Sequence, residues 1–149
     1  MPSDKKALGD WGERQVAANC ACPKCKRSKT MKLLPTNFKC ADLVCDFCGY
    51  LAQVKTAQVA DVNVMPKQLL GAAWGPQRER MEAAIFFPLF VVLTADARKS
   101  CAIYFLSADL QTNEMFEARK PLSETAKRAG WQGFLIRCDL VRDRFVRLV

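Results

Sequence analysis

Two Cys-x2-Cys pairs constrain this chain more than any other feature. Cys22-Pro-Lys-Cys25 and Cys45-Asp-Phe-Cys48 stand 19 residues apart. Four thiolates at that spacing can close a tetrahedron around zinc, with bonds of about 2.3 Å and no open coordination position. A closed site of this kind is structural and not catalytic. The start, Met1-Pro-Ser-Asp-Lys-Lys, leads into no apolar signal core, so a cytoplasmic, reducing setting is expected and the thiols are read for metal before disulfides. Lys24, Lys26 and Gly49 suit this reading, because tight turns favour Gly and nearby cations offset thiolate charge. Cys101 and Cys138 lie in apolar segments and read as small core residues. Cys40 is expected on the buried face of a strand, and Cys20 competes with Cys22 only through a poorer Cys-x-Cys pair.

An absence is equally restrictive. The chain has no histidine, which excludes His-based acid/base catalysis, Ser-His-Asp and Cys-His nucleophile systems and mixed Cys/His metal sites. Its longest apolar run, Ala83 to Ala95, is interrupted by Pro88 and too short to span a bilayer, so no membrane partner is expected. Half of the 149 residues are hydrophobic, against a disordered tail, and the length suits one domain.

Asp4 to Asn19 reads as an amphipathic helix with Leu8, Trp11 and Val16 on its apolar side. Gly9 and Gly12 interrupt it, as where a neighbour packs close to the backbone. Phe38 to Val44 and Leu51 to Thr56 read as strands, with the second cysteine pair as the turn of their hairpin. Residues 66–84 read as a helix opening at Pro66, kinked or split at Gly75-Pro76. Phe86 to Thr94 and Cys101 to Leu106 are strands, a short helix follows near Ala108 to Thr112, and Leu135 to Leu140 and Phe145 to Val149 are further strands. The expected fold is α/β (α+β) with a mixed sheet: a single domain over 1–149 with a zinc ribbon at 20–50.

Gln53 and Lys55 stand two apart on a strand and share a face. A hairpin closed by a metal knuckle brings Asp42 opposite them. Oxygen ligands from Asp42 and Gln53 can hold Mg²⁺, and Lys55 can orient the attacking water and stabilise developing charge. On spacing alone such a triple arises easily by chance, and a solvated strand face is the first reading.

These residues resemble the PD-(D/E)XK nucleases, and within them the catalytic domain of the DpnI-type (Dam-replacing family) modification-dependent restriction endonucleases. Three blocks carry the resemblance. The first is Asp10-Trp11 with Cys22-Pro-Lys-Cys25, and the second is Ala41-Asp42-x-x-Cys45-x-x-Cys48 with Gln53-x-Lys55. The third is Lys120-Pro121-Leu122-x-x-Thr125-Ala126-x-Arg128-Ala129-Gly130-Trp131-x-Gly133, running into Asp139-Leu140. The resemblance implies a restriction-endonuclease-like mixed sheet flanked by helices and a Mg²⁺-dependent DNA endonuclease. It makes Asp42 the metal-binding aspartate and Lys55 the active-site lysine. Gln53 departs from the pattern, standing where the family places glutamate, and its amide is the weaker ligand. Glu13 resembles the N-terminal helix glutamate of resolvase-like relatives, which would complete the site; it otherwise reads as a solvated helix residue. DpnI-type enzymes carry a C-terminal winged-helix domain that this chain, ending at Val149, is expected to lack, leaving DNA reading to a homodimer or a separate partner.

The formal charge is +8, and it is clustered. Lys24, Lys26, Arg27, Lys29, Lys32 and Lys39 have no acid among them up to Lys39, and Arg119, Lys120, Lys127, Arg128, Arg137, Arg142, Arg144 and Arg147 gather near the end. Lys26, Arg27, Lys29, Lys120, Lys127 and Arg128 are the candidate contacts to double-stranded DNA; Trp131 reads as a core anchor of its loop rather than a base-stacking residue. Two other functions remain open: a catalytically weak DNA-binding module of the same fold, and a zinc-ribbon protein that binds another protein or RNA.

Overall fold

The computed structural model describes residues 4–149; Met1, Pro2 and Ser3 lie outside them. In chain order the elements are helix α1 (Asp4–Asn19), strands β1 (Met31–Leu33), β2 (Leu43–Cys45), β3 (Leu51–Gln58) and β4 (Leu69–Gly71), helix α2 (Trp74–Glu82), and strands β5 (Leu89–Ala95), β6 (Ser100–Leu106), β7 (Phe116–Ala118), β8 (Phe134–Ile136) and β9 (Val146–Arg147). They pack as two compact units. The first holds the chain up to Val64 with Phe87–Ala108 and Phe145–Val149; the second holds Met65–Phe86 and Asp109–Arg144.

The first unit is built on a six-stranded sheet in the order β1-β2-β3-β5-β6-β9. β3 and β5 run parallel and the other neighbours antiparallel, so the sheet is mixed and the fold is α+β, as expected. β5 lies between β3 and β6, and Leu89 through Thr94 are all buried. Burial on both faces is why this stretch reads as an unbroken apolar run and not as an alternation. α1 packs on β3, β1 and β5 and has the bounds its apolar pattern predicts. Among the described residues no helix is long and apolar enough to cross a membrane.

The interruption of α1 by two glycines has a cause at one of them only. A Cβ on Gly9 would meet nothing within 4 Å, whereas one on Gly12 would lie 1.8 Å from Thr56 Oγ1 and 2.8 Å from Thr56 Cβ. Rotating Thr56 clears its hydroxyl but not its Cβ, so helix and strand would have to separate. Gly12→Ala is therefore expected to destabilise the protein by up to about 2 kcal/mol, since overpacking of about 1–3 kcal/mol offsets the roughly 1 kcal/mol gain in helix propensity. Thermal melts check this, and Gly9→Ala is expected to move the midpoint the other way.

The hairpin differs from its expected form in one respect. Its first strand begins at Leu43 and not at Phe38, because Cys40 has φ 66°. A left-handed residue cannot continue an extended run, so Cys40 sits in an irregular segment and not on a strand.

The second unit holds the antiparallel sheet β4-β8-β7 and α2. The helix expected over 66–84 is corrected: Leu69–Gly71 is a strand and only Trp74–Glu82 is helical. Leu69 and Gly71 are buried with Leu70 exposed between them, the period-two pattern of a strand. Gly71 pairs with Phe134, whose ring fills the space a Cβ would need. Gly75-Pro76 does not kink α2. Both lie in its first turn, where the missing proline N–H has no intrahelical acceptor to lose. Phe134 lies 6.0 Å from Trp74 and 6.2 Å from Phe116, which stacks on Phe86 at 6.1 Å.

Candidate active site and thiolate centre

The sulfurs of Cys22, Cys25, Cys45 and Cys48 all lie within 4.8 Å of one another. Cys22 Sγ is 3.6 Å from Cys48 Sγ and Cys25 Sγ is 3.7 Å from Cys45 Sγ. A tetrahedron with bonds of about 2.3 Å has an edge of about 3.8 Å, whereas a disulfide would bring two sulfurs to about 2.05 Å. The cluster is compatible with a structural metal such as zinc. Its two halves repeat one turn. Lys26 N–H donates to Cys22 O at 2.9 Å and Gly49 N–H to Cys45 O at 2.8 Å, with φ 66° at Lys26 and 81° at Gly49. Thr30 Oγ1 lies 3.2 Å from Cys45 Sγ. Cys22 and Cys45 also belong to the core that contains Val16, Leu43, Ala52 and Phe90, so the cluster is continuous with the packing under the sheet. Cys20 is buried in that core but outside the cluster, and Cys138 is fully buried, while Cys101 is only partly so.

The cysteine turn returns the chain along β3 and brings the acidic and basic groups together. Asp42 lies one residue before β2; its N–H donates to Ala52 O at 2.9 Å and its Oδ2 accepts from Val54 N–H at 2.7 Å. Val54 is the residue between Gln53 and Lys55, so the carboxylate is pinned at the Gln-x-Lys step itself. Ala52 and Val54 are buried in the α1-facing core, which leaves Gln53 and Lys55, both half-buried, on the other face of the strand. Gln53 N–H is held by Pro88 O at 2.8 Å.

Glu13, on α1, joins this group. Burial, reinforced by the charges of Asp42 and Asp10 and opposed by Arg14 and Lys55, pushes its carboxyl up to about 7. Burial also raises Asp42, against the Val54 hydrogen bond and Lys55. The Lys55 amine is held below its ordinary value by burial, against the charges of Asp42, Cys40 and Glu13. The structure thus brings Glu13, Asp42 and Lys55 into one electrostatic cluster. The two mutually repelling carboxylates, Glu13 and Asp42, are oxygen donors of the kind that a hard divalent cation takes; Gln53 stands beside them in sequence register on β3.

Two contributors to these electrostatics, Asp10 and Cys40, are not anticipated from the sequence, and neither is the buried Thr56 hydroxyl. Asp10 stands three residues before Glu13, a helical neighbour spacing that was available. Thr56 Oγ1 is buried without a hydrogen-bond partner against Gly12; the glycine was the signal. Cys40 acts on Lys55 electrostatically and has a left-handed backbone, for which the sequence carries no marker.

The Glu13 shift has a stability consequence. Its carboxyl binds a proton more tightly folded (about 7) than at its ordinary 4.5, so the folded state holds the extra proton between those values. Stability from this group falls as pH rises from 4.5 to about 7 and is level above. Without added Mg²⁺, Glu13→Gln is expected to gain stability relative to wild type across that interval and keep the gain at pH 8. Urea melts at several pH values check this; a pH-independent difference would contradict it.

The basic candidates lie where solvent reaches them. Lys26, Arg27 and Lys29 are exposed in the first unit, with Arg27 stacked 3.8 Å above the ring of Phe47. Lys120, Lys127 and Arg128 are exposed in the second, on a loop whose arms are tied by Arg119 N–H to Gly133 O at 3.0 Å and Leu122 N–H to Trp131 O at 2.8 Å. Trp131 anchors this loop by donating from Nε1 to Ala72 O at 2.6 Å. Its ring is 40% exposed and lies under Arg128 at 3.9 Å, so the anchor is a hydrogen bond and not core burial.

Residues 5–145 match the DpnI Dam-replacing family, nearly the whole chain. The chain belongs to the Dam-replacing family. No curated protein matches it. Membership in the Dam-replacing family points to a restriction-type nuclease, with DNA as its substrate.

Proposed function

We propose that this chain is a Mg²⁺-dependent endonuclease that hydrolyses phosphodiester bonds of double-stranded DNA in the cytoplasm. The observation that carries the reading is the Asp42 carboxylate bonded to the N–H between Gln53 and Lys55. Family membership supports it. Asp42 and Gln53, with Glu13 beside them, would hold the magnesium, whose chemistry when bound is to polarise the phosphodiester and acidify water. Lys55 stabilises charge building on the phosphoryl oxygens and orients the attacking water as it displaces the leaving oxygen. Cys22, Cys25, Cys45 and Cys48 hold a structural zinc ion that clamps the hairpin delivering Asp42 and β3. Lys26, Arg27, Lys29, Lys120, Lys127 and Arg128 contact phosphates of the duplex. A homodimer or a separate DNA-reading partner would add sequence selectivity, and a homodimer would also offer a second site for the other strand.

Methylated and unmethylated plasmid incubated with the protein and Mg²⁺ or Mn²⁺ tests this. Metal-dependent cutting is expected. One observation favours a second reading, a catalytically weak DNA-binding module: Gln53 offers a neutral amide where the resemblance expects an acid. Tight, salt-sensitive binding without cutting would support that reading. Absence of DNA affinity at low salt would overturn both and leave a protein- or RNA-binding ribbon.

A further inference from the structure

A groove of about 510 Å³ runs between α1 and β1, lined by Arg14, Ala17, Ala18, Lys29, Met31, Lys32 and Leu33. Arg14, Ala17 and Ala18 share one stripe of α1, since residues three and four apart lie on one helix face. The opposite wall comes from β1, the edge strand of the sheet, and the turn before it. Three of the seven lining residues are cationic and none is acidic. Lys32 Nζ lies 4.0 Å from Asp46, and both of those side chains are more than half exposed. Such a pair holds its cation only weakly. The Lys32 amine also donates to Lys29 O at 3.2 Å, which draws the two basic residues together. Met31 forms a buried floor, with Leu33 38% exposed beside it.

The groove shares helix α1 with the candidate active site. Arg14 follows Glu13 on the same helix and its charge opposes the rise of the Glu13 carboxyl. We propose that this groove binds the sugar–phosphate backbone of one strand of a DNA duplex next to the bond being cut. The inference rests on the nuclease reading above. The cations take successive phosphates, and the Ala17, Met31 and Leu33 surface faces the apolar sides of the sugars. Arg14 and Lys32 thereby acquire a role that the clustered charge alone did not assign them.

The test is the salt dependence of affinity for a duplex of about 20 bp, read by fluorescence anisotropy from about 50 to 300 mM salt. Ca²⁺ replaces Mg²⁺ so that the probe stays intact. Three proteins are compared with wild type: Arg14→Ala/Lys29→Ala/Lys32→Ala, a charge-matched control Lys67→Ala/Arg78→Ala/Lys99→Ala, and Ala18→Glu. All these side chains are solvent-exposed, and melting curves and bound zinc report whether each variant folds. The triple groove variant is expected to lose about 10- to 100-fold in affinity and to show a log–log slope shallower by about 2 to 3 than wild type, the sign of phosphate contacts removed. Ala18→Glu, four residues after Arg14, is expected to weaken binding and to make the slope shallower by about 1, as one cation is drawn from a phosphate. A groove variant matching the charge-matched control in both slope and affinity, with Ala18→Glu binding like wild type, overturns the proposal while leaving the nuclease reading intact. Wild-type protein that neither binds nor cuts the duplex overturns both.

Discussion

Cys45→Ser is expected to leave the first unit unfolded and not merely slow an enzyme. Apparent binding energies of structural zinc in small domains are about 10–16 kcal/mol at neutral pH, while the whole stability of a domain is about 5–15 kcal/mol. Losing the metal therefore removes as much free energy as the fold holds in reserve. The position of the cluster makes the loss global. Cys22 and Cys45 are core residues beside Val16, Leu43 and Phe90, and the Cys45–Cys48 turn joins β2 to β3. Zinc quantification is expected to give one ion per chain. Circular dichroism and limited proteolysis are expected to show wild-type protein with a strong chelator, and Cys45→Ser without one, losing ordered structure together. Cys20→Ser, buried in the same core but outside the thiolate group, is expected to melt only modestly earlier. A zinc-free Cys45→Ser protein that melted like wild type would sink the structural role of the cluster.

The second large effect concerns chemistry with the fold preserved. Asp42→Ala and Lys55→Ala are each expected to lower DNA cleavage by on the order of 10²–10³-fold or more, the range seen when one preorganised electrostatic group is removed from a reacting centre. The two differ in their effect on binding. Asp42→Ala removes a carboxylate and, on the proposed reading, a ligand of the divalent cation, so cutting is expected to disappear while duplex affinity measured without divalent cation holds or rises. It also leaves Val54 N–H without its 2.7 Å acceptor, a penalty of about 1–3 kcal/mol for a buried donor; Asp42→Asn keeps the oxygen, separating chemistry from folding. Lys55→Ala relieves a buried amine and is expected to fold well without cutting. Gln53→Glu restores a second strand carboxylate and is expected to lower the Mg²⁺ concentration for half-maximal cutting. If the Asp42 and Lys55 variants cut at the wild-type rate, the hydrolytic assignment fails.

Much of the architecture could be read from local pattern. The bounds of α1 follow from apolar spacing, and the thiolate cluster from two Cys-x2-Cys pairs, because each signal is carried by residues close in sequence. β5 was legible as an apolar run for the same reason. Residues 66–84 were misread because Leu69 and Leu70 fit either period over so short a stretch; pairing of Gly71 with Phe134 across the second sheet settles it as a strand.

The candidate site divides along the same line. Residue types and spacing supplied Asp42, the Gln53-x-Lys55 step and, by resemblance, Glu13, since period-two alternation and hairpin return operate within a few residues. The fold alone supplied the hydrogen bond from Val54 to Asp42, the crowding of Gly12 against Thr56, and the buried environment that lifts the Glu13 carboxyl and lowers the Lys55 amine. Those are properties of groups brought together from α1, the irregular stretch before β2, and β3. Their strength depends on exclusion of water and on distances between chain segments a dozen or more residues apart, neither of which is written in any local stretch of amino acids.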